Sequence, residues 1–255
     1  ELIRRQEEEL AEKRRLREET EAREREAAEK AAVQQAEVTK LETPDLSALK
    51  DMGFKFPEPF TVKADDGVTD LFGVMYKPFD FDPEKRYPII AYVYPGPQTE
   101  SVSKTVSPRS QSMTLAQLGF IVIEIGNRGG HPQRSKWYHN YGYGNLRDYG
   151  LMDKKVAVEQ LADRHRFIDI DRVGIYGWSY GGYATLMAML REPELFKVGV
   201  AGAPVTHWDG YDTAYTERYV STPERNPNGY DESSVMAHVD QLRGKLMIVH
   251  GMVDE

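Results

Sequence analysis

Gly177-Trp178-Ser179-Tyr180-Gly181-Gly182-Tyr183 decides the fold. An apolar run, Val173 to Tyr176, leads into it and Ala184-Thr185-Leu186-Met187-Ala188-Met189-Leu190 follows, so the stretch reads as a strand turning directly into a helix. A serine between glycines at such a junction sits on a nucleophile elbow, where a tight, strained turn lifts the hydroxyl above the sheet edge. Gly177 and Gly181 leave room for neighbouring backbone. The helix behind Ser179 directs its N-terminal amides and the positive end of its dipole at the site. The pattern makes Ser179 a candidate nucleophile and the backbone N–H of Tyr180 a candidate oxyanion donor. The bland reading, a glycine-rich turn around a structural serine, accounts for the five-residue pattern but not for the strand and helix that flank it.

Outward from the elbow the chain alternates strand and helix. Phe60 to Lys63, the turn Asp65-Asp66-Gly67 and Thr69 to Tyr76 read as a hairpin. Tyr87 to Tyr94 is a β-rich apolar run that stops at Pro95-Gly96-Pro97, and Phe120 to Ile125 is a buried strand ending at Gly126-Asn127-Arg128-Gly129-Gly130. Thr114 to Leu118 reads as a helix end, His131 to Asn145 has no clear period, and Asp148 to Arg164 carries Leu151, Val156, Val158 and Leu161 on a helical spacing. Past the elbow come a helix to Arg191, the strand Val198 to Ala201, a long loop, and the strand Leu246 to Val249. This order implies an α/β fold with a mostly parallel sheet, helices on both faces, and a site in the loops at the carboxyl ends of the strands. Asp254 stands in the loop after the last strand. With Ser before Asp in the chain, that is where the carboxylate orienting a catalytic histidine belongs.

The 255 residues suffice for one such domain and an appendage. Residues 1–40 form the appendage: Glu, Arg, Lys and Ala dominate without Gly or Pro, and Glu1/Arg5, Glu9/Lys13, Glu19/Arg23, Glu21/Arg25 and Glu26/Lys30 stand in the favourable i,i+4 order. Ile3, Leu10 and Leu16 are too sparse for a heptad seam, so a long exposed charged helix is expected. Residues 41–59 change composition and read as a linker or docking segment, and 60–255 as the α/β domain. A net charge of -8 argues against a nucleic-acid partner. No apolar run reaches the length of a membrane span, and no charged-then-apolar signal segment opens the chain. The absence of cysteine excludes a disulfide framework and a thiolate nucleophile and leaves the compartment open.

Several blocks together resemble the α/β-hydrolase domain of the prolyl oligopeptidase family of serine peptidases, in particular its dipeptidyl-peptidase IV branch. They are Tyr87-Pro88 through Val93-Tyr94-Pro95-Gly96-Pro97, Asn127-Arg128-Gly129, the elbow, Ala203-Pro204-Val205-Thr206-His207-Trp208, Tyr211 through Tyr219, and His250-Gly251-Met252-Val253-Asp254. The resemblance covers residues 41–255 and implies a set of roles. Ser179 is the nucleophile, Asp254 the orienting acid, and Tyr94 shares the oxyanion hole with the amide of Tyr180. Val205, Trp208, Tyr211 and Tyr215 line the pocket for the residue before the scissile bond. A small aromatic-walled pocket suits proline or alanine. Spacing alone would equally allow these aromatics to be ordinary core residues. Arg128 and Glu217 are expected to support the site by ion pairing.

The family's catalytic histidine follows the acid, and none of His131, His139, His165, His207, His238 and His250 stands there. His250 reads as a structural strand end and His207 as a pocket-rim residue or spectator. The expectation is therefore a peptidase domain incomplete at its C-terminus, without the last strand and helix or the family's propeller. The implied activity is serine-type hydrolysis of peptide bonds through an acyl-enzyme, releasing dipeptides after Pro or Ala, with a peptide as partner and no metal or organic cofactor. A homodimer stays open. The alternatives are an acylaminoacyl-peptidase or carboxylesterase of the same fold, and a catalytically inactive fragment acting as an interaction module.

Overall fold

The computed structural model describes residues 45–97, 100–146 and 149–254. The chain divides into two units, Glu1–Ala48 and Leu49–Glu255. The charged helix expected over residues 1–40 lies outside the described residues. A short helix, α1 (Ser47–Asp51), starts where the Asp45 carboxylate accepts the Ser47 amide at 2.9 Å.

β1 (Glu58–Lys63) and β2 (Asp70–Tyr76) pair antiparallel. Their turn is fixed by Asp66, whose Oδ1 accepts the amides of Val68 and Thr69 at 2.9 and 2.8 Å and whose Oδ2 accepts the Thr69 hydroxyl at 2.6 Å. The strand begins at Glu58, so the end of the expected 41–59 linker belongs to the sheet. Pro59 is tolerated because β1 is an edge strand, where a missing amide breaks no ladder. Then follow β3 (Tyr87–Tyr92), α2 (Gln111–Ala116), β4 (Ile121–Ile125), α3 (Lys136–His139), α4 (Leu151–Arg164), β5 (Ile168–Trp178), α5 (Tyr180–Arg191), β6 (Phe196–Gly202), α6 (Thr213–Val220), α7 (Pro227–Ser233) and β7 (Lys245–Val249). The sheet has the order β1-β2-β4-β3-β5-β6-β7. β2 meets β4 antiparallel, and every pair from β4 to β7 is parallel.

Strand alternation distributes the side chains between two faces. Ile121, Ile123 and Ile125 of β4 belong to one buried cluster with Ile89 and Ala91 of β3, Leu151, Val158 and Leu161 of α4, and Leu186, Met187 and Leu190 of α5. Val122 points the other way and joins Met113 and Ala116 of α2, with Ile90 and Val74 beside them. Helices thus cover both faces, as the sequence implies, and β4 is buried along its whole length. Its one acidic residue, Glu124, is accommodated because Ser112 Oγ donates to it at 2.6 Å.

The region between β6 and β7 departs from expectation. It is not a long loop but holds α6, α7 and a 3-10 turn over Val235–Gln241. These elements are too short to show a period, yet their starts carry ordinary caps. Asp212 accepts the Tyr215 amide at 2.9 Å, and Asn226 accepts that of Gly229 at 3.2 Å with Pro227 at the first helical position.

Candidate active site

Ser179 has φ 57° and ψ -118°, outside the regions L-residues favour. It joins β5 to α5 directly and is pinned on both sides: its amide donates to Gly202 O at 2.8 Å, and its carbonyl accepts the Tyr183 amide at 3.0 Å. The glycines are required by close approach. A Cβ on Gly177 would stand 2.3 Å from Val93 O, one on Gly181 2.1 Å from the same oxygen, and one on Gly182 2.4 Å from Gly202 O. The backbones leaving β3 and β6 therefore press directly on the elbow. Tyr180 is the first residue of α5, so no carbonyl of its own helix can accept its amide.

Tyr94 lies just beyond the end of β3. Val93 still donates to Tyr176 O at 2.9 Å, and after it the chain leaves the sheet. Ser101 Oγ donates to the Tyr94 carbonyl. Gly96 fits between two rings, since a Cβ there would lie 3.1 Å from Tyr94 Cε1 and 3.7 Å from Tyr180 Cγ. Tyr94, Ser179, Tyr180, Val205, Trp208, Tyr211 and Tyr215 enclose a cavity of about 30 Å³. Its aromatic walls brace one another: Trp208 stacks on Tyr215 at 6.0 Å, Tyr211 meets both edge-on at 5.9 and 5.5 Å, and Tyr180 backs Trp208 at 5.5 Å. Burial, first among its causes, holds the Tyr215 hydroxyl far above the usual phenol range, so this wall stays uncharged. Trp208 is both a core residue and a cavity wall.

Ser179 also lies on the wall of a second, wider cavity of about 500 Å³, shared with Val205, His207, Tyr211, His250 and Asp254 among others. The structure therefore brings the candidate nucleophile, acid and pocket residues around adjoining spaces. His250 follows β7 and stands half exposed, its Nδ1 3.4 Å from Asp254 Oδ2. His207 sits on the rim, with Nδ1 3.2 Å from Asp209 and Nε2 3.0 Å from Ser234 Oγ.

Arg128 has the ion-pair role expected of it, whereas Glu217 is exposed on α6. The guanidinium meets Asp153 at 2.7 Å and Asp66 at 3.2 Å, with 4% of its side chain exposed, and lies over the Tyr141 ring at 4.1 Å. Burial opposes its charge, but the Asp153 bonds and the surrounding negative groups outweigh that and raise its pKa. Asp153 also accepts the Asp65 amide at 3.1 Å, so the β1–β2 turn, the loop after β4 and the start of α4 are tied together. Two residues here were not singled out in the sequence. Asp153 hides as a polar position in the first turn of α4, and Tyr149 falls in the segment read as helical from Asp148 but stands just before the helix, which starts at Leu151, and is buried.

Residues 106–255 match the prolyl oligopeptidase family. The chain is 40% identical to human dipeptidyl peptidase 8 over 204 residues, which are 78% of this chain and 22% of that protein. It is 36% identical to the probable dipeptidyl-aminopeptidase B of Sclerotinia sclerotiorum over 193 residues, 73% of this chain and 20% of the relative. A crystal structure from Bacteroides ovatus, provisionally assigned as a dipeptidyl aminopeptidase IV, superposes with a TM-score of 0.72 at 42% identity, covering 76% of this chain and 28% of that one. The chain thus spans about a quarter or less of the length of the curated relatives it matches. No helix among the described residues is long and apolar enough to cross a membrane.

Proposed function

The chain belongs to the prolyl oligopeptidase family, and from that premise we propose that it carries the nucleophile, acid and specificity pocket of a serine peptidase that releases dipeptides after proline or alanine. The observation that carries the reading is the strained Ser179 turn, placed where a small aromatic cavity and a wide open one share a wall. The kinship to dipeptidyl peptidases supports the substrate class.

In this reading the ring or methyl of the residue before the scissile bond fills the cavity walled by Val205, Trp208, Tyr211 and Tyr215, which sets the peptide carbonyl over Ser179. A histidine base takes the Ser179 proton as Oγ attacks the carbonyl carbon. The oxyanion accepts hydrogen bonds from the Tyr94 hydroxyl and the Tyr180 amide, each such donor being worth on the order of 2.7–4 kcal/mol in the transition state. Asp254 orients the base. The amine leaves with the proton, and water, deprotonated by the same histidine, attacks the acyl-enzyme, regenerates Ser179 and yields the dipeptide carboxylate. The aromatic walls crowd this small cavity, which favours a compact ring or methyl over a longer side chain.

The test is covalent labelling of the full-length protein with a fluorophosphonate, read by intact mass beside Ser179→Ala. One adduct that Ser179→Ala abolishes, with peptidase activity falling by about 10⁶-fold in the variant, is the expected result. Unchanged activity in Ser179→Ala sinks the proposal. Faster turnover of a simple ester than of a Pro-containing dipeptide arylamide would instead favour an esterase of the same fold.

A further inference from the structure

The geometry points to Tyr149 as a positioning residue that holds the Tyr94 turn in register with the Ser179 elbow. This rests on the reading of Tyr94 and the Tyr180 amide as paired oxyanion donors and adds what fixes the distance between them.

Donors of this kind work only when they stand about 2.7–3.1 Å from the place the oxyanion will occupy, before the charge develops. The Tyr180 amide meets that demand through the rigid start of α5. Tyr94 stands past the end of the β3 ladder at Val93, and its carbonyl is held by Ser101 Oγ rather than by a strand partner. Beyond Tyr94 the chain enters Pro95-Gly96-Pro97, a buried turn that must place its carbonyls without a sheet. Tyr149 supplies the missing partner, since its hydroxyl donates to the Pro95 carbonyl.

The surroundings are shaped to keep it there. Tyr149 is 6% exposed. A Cβ on Gly129 would stand 2.5 Å from its ring and one on Gly142 3.0 Å, so both glycines make room for the ring itself. A Cβ on Gly150 would stand 2.6 Å from Pro95 Cβ, so the residue after Tyr149 presses on the same turn. The other leg reaches the elbow. The Tyr149 ring lies 6.5 Å from that of Tyr180, and the Tyr180 hydroxyl donates to Leu146 O at 2.9 Å. Leu146, Tyr149 and Gly150 therefore touch the side chain of the residue after the nucleophile and the backbone of the residue after Tyr94. Burial holds the Tyr149 hydroxyl far above the usual phenol range, so it remains a donor throughout the working pH. Without that hydroxyl, the Pro95 carbonyl is a buried acceptor lacking its partner, and the turn moves to find another.

Tyr149→Phe keeps the ring and its packing and removes the hydroxyl, with its hydrogen bonds to the Pro95 carbonyl and to Tyr180. In the full-length protein, with a Gly-Pro arylamide as substrate, kcat should fall about 10- to 100-fold, the scale of a displaced catalytic group, with KM within about twofold. The decisive measurement is a double-mutant cycle with Tyr94→Phe. Once the Tyr94 hydroxyl is gone there is nothing left to position, so adding Tyr149→Phe should cost less than about twofold. A Tyr149→Phe variant that melts lower but keeps wild-type kcat, or losses that multiply in the double variant, overturns the positioning role and leaves the oxyanion pair standing. A Tyr94→Phe variant with wild-type kcat overturns the pair itself, and the role of Tyr149 with it.

Discussion

On one side of Ser179 the chain packs Tyr180, Tyr183 and Trp208 into a wall with 4% or less of each residue exposed, and on the other side, among the described residues, His207, His250 and Asp254 are partly exposed. The side-chain contacts divide the same way. Arg128 and Asp153 meet at 2.7 Å with 4% and 0% of their side chains exposed, whereas His250 and Asp254 meet at 3.4 Å with 46% and 36% exposed. The buried wall couples geometry to stability: a residue that places a reacting group there also fills the core, and altering it disturbs both. The open wall separates the two, so a change there reads out chemistry with little interference from folding.

The largest effect that sharpens this contrast is expected at Asp254. In the full-length protein Asp254→Asn should lower kcat about 10⁴-fold, the scale seen when an orienting acid is neutralised in a serine triad. The stability loss, read from melting curves of the same proteins, should be far smaller than the activity loss. A stability loss matching the activity loss would place Asp254 on the same footing as the buried wall and erase the distinction.

That contrast also explains what the sequence disclosed. The elbow was legible because its signal is local: strand, glycine-flanked serine and helix follow one another without a gap, and each glycine answers a backbone contact of its own neighbourhood. Tyr94, Val205, Trp208, Tyr211 and Tyr215 were legible only through resemblance, since an aromatic at a strand end or in a loop has the same spacing whether it lines a cavity or fills a core. Tyr149 was out of reach, because its partners Pro95 and Tyr180 are distant in sequence and the helical spacing read from Asp148 onward says nothing of a residue that precedes the helix. α4 was found with the wrong stripe in part. Val156 is only half buried, and Lys154, a residue that pattern assigns to solvent, is inside. Its ammonium donates to the carbonyls of Ile125 and Gly126 where β4 ends, and burial lowers its pKa to about 8. A hydrophobic pattern cannot anticipate a lysine whose partners are backbone carbonyls of another element.

A smaller effect breaks the comparison at the level of single methyl groups. Gly181→Ala places a carbon 2.1 Å from the Val93 carbonyl oxygen, backbone against backbone, and should cost about 1–3 kcal/mol or prevent folding. Gly251→Ala on the open side meets nothing closer than 3.4 Å and should fall within about 0.5 kcal/mol of wild type. Denaturant melts of the two variants are the measurement. Equal losses would mean that the loop carrying Asp254 is as tightly determined as the elbow.

The smallest effect is electrostatic and concerns how the β1–β2 turn is held to the buried side. Burial tends to raise the Asp66 pKa, but the Thr69 hydroxyl and amide, the Val68 amide and the Arg128 charge outweigh it and bring it down to about 2. The unfolded chain, with Asp66 near 3.8, binds more protons than the folded one between those two values. The stability Asp66 contributes is therefore complete above about pH 4, declines as pH falls through that window, and is gone below about pH 2. Asp66→Asn has no carboxylate to protonate, so its melting temperature should lie below wild type at neutral pH and the gap should narrow as acid is added. Thermal melts of both proteins from about pH 6 to about pH 2 test this. A gap that holds constant across the series would mean that Asp66 is protonated alike in both states. The Arg128 cluster would then rest on Asp153 alone, and the turn would be held by its hydrogen bonds rather than by charge.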